Sequence, residues 1–117
     1  MRLILYGTAE EHNELTRALA ALPDYSYRRI QISAYSDYDS FVAGLGDAPP
    51  KGVVVTMNGA EGMEGVIAAR DILKDVPVIW FSDDNGFGVQ SYRLGCAYFH
   101  EKPVSTGILS AAIAKCV

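Results

Sequence analysis

Cys96-Ala97-Tyr98-Phe99-His100-Glu101-Lys102-Pro103 is the stretch on which the reading of this chain turns. An apolar, aromatic run of strand length ends in a lysine, and a proline locks the turn that follows. This holds one positive charge at a fixed point at the mouth of a buried strand. Upstream, Val78-Ile79-Trp80-Phe81-Ser82 is a second run of strand length, and it ends in a hydroxyl. If the two strands are parallel neighbours, Ser82 and Lys102 flank one point beyond the sheet, suited to a phosphoryl or carboxylate group. The strand that should present such a group, Val53-Val54-Val55-Thr56-Met57, ends in methionine.

Outward from these runs, short apolar segments alternate with helical periodicity. Leu3-Ile4-Leu5-Tyr6 reads as the first strand. Thr8 and Glu11 have the spacing of a capping box, and Leu15, Ala18, Leu19 and Leu22 follow at helical spacing up to Pro23. Tyr27 to Ser33 alternates as a half-buried strand. Ser36 or Asp37 caps a second helix with Phe41, Val42 and Leu45 inward, closed by Gly46. Pro49-Pro50 leads into a third strand, Gly52 to Met57, whose consecutive valines suit a parallel strand covered on both faces. A loop over Asn58 to Gly62 precedes a helix carrying Val66, Ile67, Arg70 and Leu73. Pro77 opens the fourth strand. Asp83-Asp84-Asn85-Gly86 caps a fourth helix with Phe87, Tyr92 and Leu94 as its apolar positions and Gly95 at its end. Ala97 to His100 forms the fifth strand. Ser105 caps the last helix, with Ile108, Leu109, Ala112, Ile113 and Cys116 on one face. Five strands alternating with five helices predict an α/β fold: a single doubly wound five-stranded parallel sheet with right-handed crossovers. Ligands of such sheets bind beyond the carboxyl ends of the strands, an edge that here gathers Gly7, Thr8, Met57, Asn58, Ser82, Asp83 and Lys102.

The 117 residues suffice for one domain with a sizeable core, and 50% hydrophobic with 21% charged residues fits an ordinary globule. A net charge of −4 argues against a surface for nucleic acid or anionic membrane. No apolar run approaches the roughly 18 residues of a membrane span, and Met1-Arg2-Leu3-Ile4-Leu5 is too short for a signal peptide. Cys96 and Cys116 make neither a disulfide nor a metal pattern and read as buried thiols in a reducing cytoplasm. His12 and His100 lack ligand spacing, and Asp83-Asp84 reads as a helix cap before a metal site, so no metal and no cofactor is expected. Tyr25, Tyr27, Tyr35 and Tyr38 read as half-buried amphipathic rings.

Over its whole length the chain resembles a response-regulator receiver domain. The residues that carry the resemblance are Met63-Glu64-Gly65 after the third strand, Phe81-Ser82 ending the fourth, and Phe99-His100-Glu101-Lys102-Pro103 at the fifth. The segment from Phe87 to Phe99 is most similar to the LytTR (AgrA/LytR-like) branch. The resemblance implies a (βα)5 flavodoxin-like receiver fold with strand order 2-1-3-4-5. It implies a phosphoacceptor aspartate at the end of the third strand, and counting back from Met63-Glu64-Gly65 places that position at Met57. It implies a magnesium-holding carboxylate pair at Gly7 and Thr8, or at Tyr6 and Gly7 if the alignment slips by one. Ser82 matches the hydroxyl that senses the phosphoryl group, Lys102 with Pro103 the family's lysine-proline pair, and Phe99 the switch aromatic.

Methionine offers no oxygen nucleophile, so no acyl phosphate can form at Met57. Magnesium requires hard oxygen ligands, which Gly7 and Met57 lack and Thr8 supplies only as a neutral hydroxyl. Lys102 is then expected to pair with a surviving acid: Asp83 first, otherwise Glu10 or Glu11. Met57 is expected to be buried among the strand ends. The chain therefore reads as a non-enzymatic pseudo-receiver over residues 1–117, the N-terminal part of a longer cytoplasmic regulator. Its partners would be another protein or its own effector domain, of the DNA-binding LytTR type by resemblance. Pairing of two copies is expected through the fourth helix, fifth strand and fifth helix, including Tyr92, Arg93, Tyr98 and His100. The alternatives are a receiver phosphorylated at another residue, such as Thr56 or Asp83, and a flavodoxin-like cofactor-binding domain. Against the latter, Glu10 and Glu11 stand where a phosphate should sit.

Overall fold

The valine run lies at the centre of the sheet, and Val53, Val54 and Val55 are fully buried. The structure, a computed structural model, describes residues 1–22 and 30–116. Among these, β1 (Arg2–Tyr6), β2 (Gln31–Tyr35), β3 (Gly52–Val55), β4 (Val78–Ser82) and β5 (Tyr98–Glu101) form one parallel sheet in the order β2-β1-β3-β4-β5. The helices are α1 (Ala9–Ala20), α2 (Tyr38–Leu45), α3 (Gly59–Ile72), α4 (Gly88–Arg93), preceded by a 3-10 turn at Asn85–Phe87, and α5 (Thr106–Ala114). The expected α/β architecture and strand order are those observed.

The pleat divides the core in two, because successive side chains of a strand point to opposite faces. Leu3, Leu5, Val54, Ile79 and Phe81 pack with Leu15 and Leu19 of α1 and Leu109, Ala112 and Ile113 of α5. Ile4, Tyr6, Val53, Val55 and Trp80 pack with Phe41 and Leu45 of α2 and Val66 and Ala69 of α3. Each such large side chain taken from water contributes about 1.5–3 kcal/mol before ordering costs. On the second face the Tyr6 ring stacks on Phe41, with centroids 4.5 Å apart.

Local signals set most helix starts. Thr8 makes the capping box with Glu11, Asp37 rather than Ser36 caps α2 through the Ser40 amide (3.0 Å), and Ser105 caps α5 through the Ile108 amide (3.2 Å). Gly95 follows α4 at φ +71°, a backbone conformation that a side chain would strain.

The differences from expectation lie at element ends and in the fourth helix. The second strand runs Gln31–Tyr35, later than the predicted Tyr27 to Ser33, because Tyr6 pairs with Tyr35 at the top of β1. Pro23, Tyr25 and Tyr27 lie outside the described residues, as does Val117. The expected loop over Asn58 to Gly62 is instead the first turn of α3. A Cβ at Gly62 would lie 2.1 Å from the Met57 carbonyl oxygen, so glycine lets that turn abut the end of β3. The predicted fourth helix is a 3-10 turn capped by Asp84 (2.8 Å to the Gly86 amide), followed by only six helical residues. A helix that short buries one narrow stripe, and Tyr92, an apolar position of this helix and a member of the expected pairing face, is 87% exposed.

Burial pushes the thiols of Cys96 and Cys116 up to about 11, Cys96 despite the nearby Arg70 charge. Thiolate is therefore scarce in the native state, and both cysteines should react with a thiol reagent at pH 7.5 far more slowly than after denaturation. The linkage has a definite sign. Below about pH 9 the thiols are protonated in both states; above it the unfolded chain loses protons that the folded chain holds until about pH 11. Urea midpoints should fall across that window, and the fall should shrink in a Cys96→Ser, Cys116→Ala variant.

Candidate functional site at the carboxyl edge of the sheet

Parallel pairing of β4 with β5 aligns Ser82 with Glu101, and the Lys102 amide donates to the Ser82 carbonyl at 2.8 Å. The lysine thus leaves the sheet at a fixed height, and a cis peptide bond joins it to Pro103. Its side chain, 20% exposed, runs back across the ends of β4 and β3. The ammonium donates to the Thr56 carbonyl at 2.5 Å and to Asn58 Oδ1 at 2.7 Å, and forms an ion pair with Glu11 Oε2. An ammonium has three N–H donors, and these three partners take all of them.

Glu11 serves two structures at once. Its Oε1 accepts from the Thr8 amide (3.3 Å) and the Thr8 hydroxyl (3.2 Å), while the Thr8 Oγ1 accepts from the Glu11 amide (3.1 Å). The carboxylate that closes the capping box of α1 is therefore also the counter-ion of Lys102. This corrects the expectation that Asp83 comes first. Asp83 is exposed where the chain leaves β4, whereas Glu11 sits in the first turn of α1, facing the cleft.

Met57 is 8% exposed and joins the second core cluster, as its position at the strand end requires. Thr56 points to the other face. A Cβ at Gly7 would lie 2.0 Å from the Thr56 Oγ1, so a side chain at position 7 needs space that the threonine hydroxyl already fills. Thr56 Oγ1 also makes a long contact, 3.5 Å, to the Tyr6 carbonyl. In the alternative register one acid position falls on Tyr6, which is 1% exposed and stacked in the core.

The residues present do not fit the magnesium that the fold implies. The three positions around the cleft supply a glycine, a cap threonine bonded to its own helix, and a buried thioether. Lys102 places its charge on the Thr56 carbonyl. Among the described residues no three His, Cys, Asp or Glu side chains are grouped to hold a metal ion.

Ser82 is fully buried, and its hydroxyl accepts from the Asp84 amide at 3.2 Å, the role of a loop cap. Phe99 is half-buried and meets the Trp80 ring edge-on at 5.5 Å, and Phe87 meets that ring at 5.1 Å. Trp80 Nε1 is buried without a hydrogen-bond partner. Tyr92 and Arg93 are exposed on α4; Tyr98 and His100 are half-buried on β5, the edge strand. Tyr98 faces Phe81 at 6.4 Å, and His100 Nδ1 lies 2.6 Å from the Glu101 carbonyl oxygen. Sequence reasoning missed the engagement of Thr56 and Asn58. No periodicity reports which carbonyl a long side chain will reach.

This sheet, with its lysine at the end of β5, is the CheY-like receiver fold. It superimposes on the CpaE2 pilus assembly protein of Sinorhizobium meliloti with a TM-score of 0.75 at 18% identity, covering 100% of both chains. A CheY-like response regulator of Mesorhizobium loti gives 0.74 at 19% identity over 99% of this chain and 98% of that one. A LuxR-family two-component response regulator of Aurantimonas gives 0.75 at 18% identity over 97% of this chain and 81% of that one. Likeness at such identities is likeness of fold. No family model and no curated protein matches the sequence.

Removing both members of the Glu11–Lys102 pair should cost less than the sum of removing each alone. Glu11→Gln and Lys102→Met should each lower unfolding stability by about 1–3 kcal/mol. A double-mutant cycle should return a coupling of about 1 kcal/mol. Urea denaturation of the four proteins measures it, and additive single effects would show that the pair is not coupled.

Proposed function

We propose that the chain is a receiver-like signalling domain that works by protein contact and carries out no phosphotransfer. The observation that carries this reading is the saturated ammonium of Lys102. In a phosphotransfer cleft that charge must be available to an acyl phosphate; here it is held by Glu11, Asn58 and a backbone carbonyl. Met57 at the acceptor position supplies no nucleophile, and an acid at position 7 would have to displace the Thr56 hydroxyl. The receiver fold, shared with response regulators, supports a place in two-component signalling. The likeness to response regulators longer than this fold, such as the LuxR-family protein of which this chain covers 81%, supports an effector domain or a separate protein as its partner. The LytTR type of effector rests on the similarity of the segment from Phe87 to Phe99 alone.

With no phosphoryl group to bias it, the choice between conformations falls to packing or to a partner of unequal affinity for the two states. Exposed Tyr92 and Arg93 beside the edge strand β5 favour that side for contact with a partner or a second copy. Self-association there is constitutive in this reading. Its sedimentation profile is unchanged by acetyl phosphate, and Arg93→Glu weakens it.

Incubation with magnesium and acetyl phosphate should leave the intact mass unchanged. A gain of one phosphoryl group, lost on changing Thr56 or Asp83, would instead establish a receiver with a displaced acceptor. Restoration is the complementary test. Gly7→Asp, Thr8→Asp and Met57→Asp together should fold poorly and bind magnesium weakly, because Thr56 Oγ1 occupies the space of the new side chain. Adding Thr56→Ala should recover both stability and binding, measured by thermal melting with and without magnesium.

A further inference from the structure

A cavity of about 330 Å³ opens between α1 and the loop from β5 into α5. Ala18, Pro103 and Val104 contribute its accessible apolar wall over the buried Leu15, Phe81 and Leu109, and Glu11, Glu14 and Lys102 its charges. The volume falls at the lower end of small-ligand sites, and an apolar wall with a few convergent polar groups is their usual chemistry.

The charges differ in availability. Lys102 has spent its three donors on Glu11, Asn58 and the Thr56 carbonyl, so an anion entering the cavity finds no free N–H on it. Glu11 is already neutralised by that lysine. Glu14 stands one turn further along the same face of α1, and among the described residues its carboxylate has no ion-pair or hydrogen-bond partner. The cavity thus carries one uncompensated negative charge beside an apolar wall. A bare metal ion or a fully hydrophilic cation gains nothing from that wall, and a carboxylate or phosphate is repelled by Glu14.

We propose that this cavity binds a small organic cation: a primary amine or guanidinium on an apolar body about the size of a benzene ring. The body lies against Ala18, Pro103 and Val104, and the cationic head meets Glu14. The cavity borders the cleft at Glu11, Thr56 and Lys102, but the cation is held by Glu14, which the cleft does not use.

Titration of the isotope-labelled chain with phenethylammonium, followed by amide chemical shifts, tests the site. 2-Phenylethanol serves as the neutral probe and 3-phenylpropionate as the anionic one. The amine should give saturable shifts around Glu14, Leu15, Val104 and Leu109, with an affinity about threefold or more above that of the alcohol. Glu14→Gln, an exposed change that leaves the core intact, should bring the amine down to the affinity of the alcohol and leave the alcohol unaltered. Ala18→Phe, which fills the cavity, should remove binding of both. The proposal is overturned if none of these amides shifts saturably up to about 10 mM amine. It is equally overturned if the carboxylate binds as well as the amine, or if Glu14→Gln leaves the preference intact. Such outcomes leave the reading of the cleft untouched, because that reading is tested by mass and magnesium.

Discussion

A cation at the rim of a hydrophobic sheet must find partners, and the way Lys102 finds them organises the functional edge of this protein. The lysine is placed by β5, anchored by its own amide to the Ser82 carbonyl, and half-shielded from water. An unpaired charge there would bear a desolvation cost with nothing to offset it. Glu11, Asn58 and the Thr56 carbonyl together satisfy it, which ties the first turn of α1, the entrance to α3 and the end of β3 to one atom. Each element arrives there for its own reasons: a capping box, a strand end, a helix cap position. Their meeting at one nitrogen couples them.

The rest of the cleft is shaped by volume. Where receivers are expected to carry acids, this chain has Gly7 against a threonine hydroxyl and Met57 folded into the core beneath α3. These are mutually adjusted. Thr56 takes the space that Gly7 leaves, and Gly62 lets α3 close over the Met57 carbonyl. A single substitution does not reverse such an arrangement, because the neighbour has already filled the gap. Along α1, Glu11 is committed to Lys102 where the cleft meets the cavity, and Glu14, one turn on, remains available.

Much of this was legible in the chain before folding. Three consecutive valines announced a strand covered on both faces, Thr8 with Glu11 announced the helix start, and the alternation of strands and helices announced a parallel sheet. The burial of Met57 followed from its place at the end of that strand. What failed has a physical pattern. The fourth helix was read as longer, because apolar residues at helical spacing give the same signal whether or not a sheet lies beneath them. The strand ends shifted because register is decided by pairing, as between Tyr6 and Tyr35, and not by the segment itself.

The sequence by itself determined the fold class, the strand order through the resemblance, the absence of a nucleophile at position 57 and the lysine at the end of β5. These are properties of residue type and local period, which need no partner to be read. Only the tertiary structure decided that Glu11 and not Asp83 holds Lys102, that Thr56 closes the space beside Gly7, and that Glu14 faces a cavity. Those depend on where side chains far apart in the chain meet, and the separation of 91 positions between Glu11 and Lys102 carries no local signal of their contact.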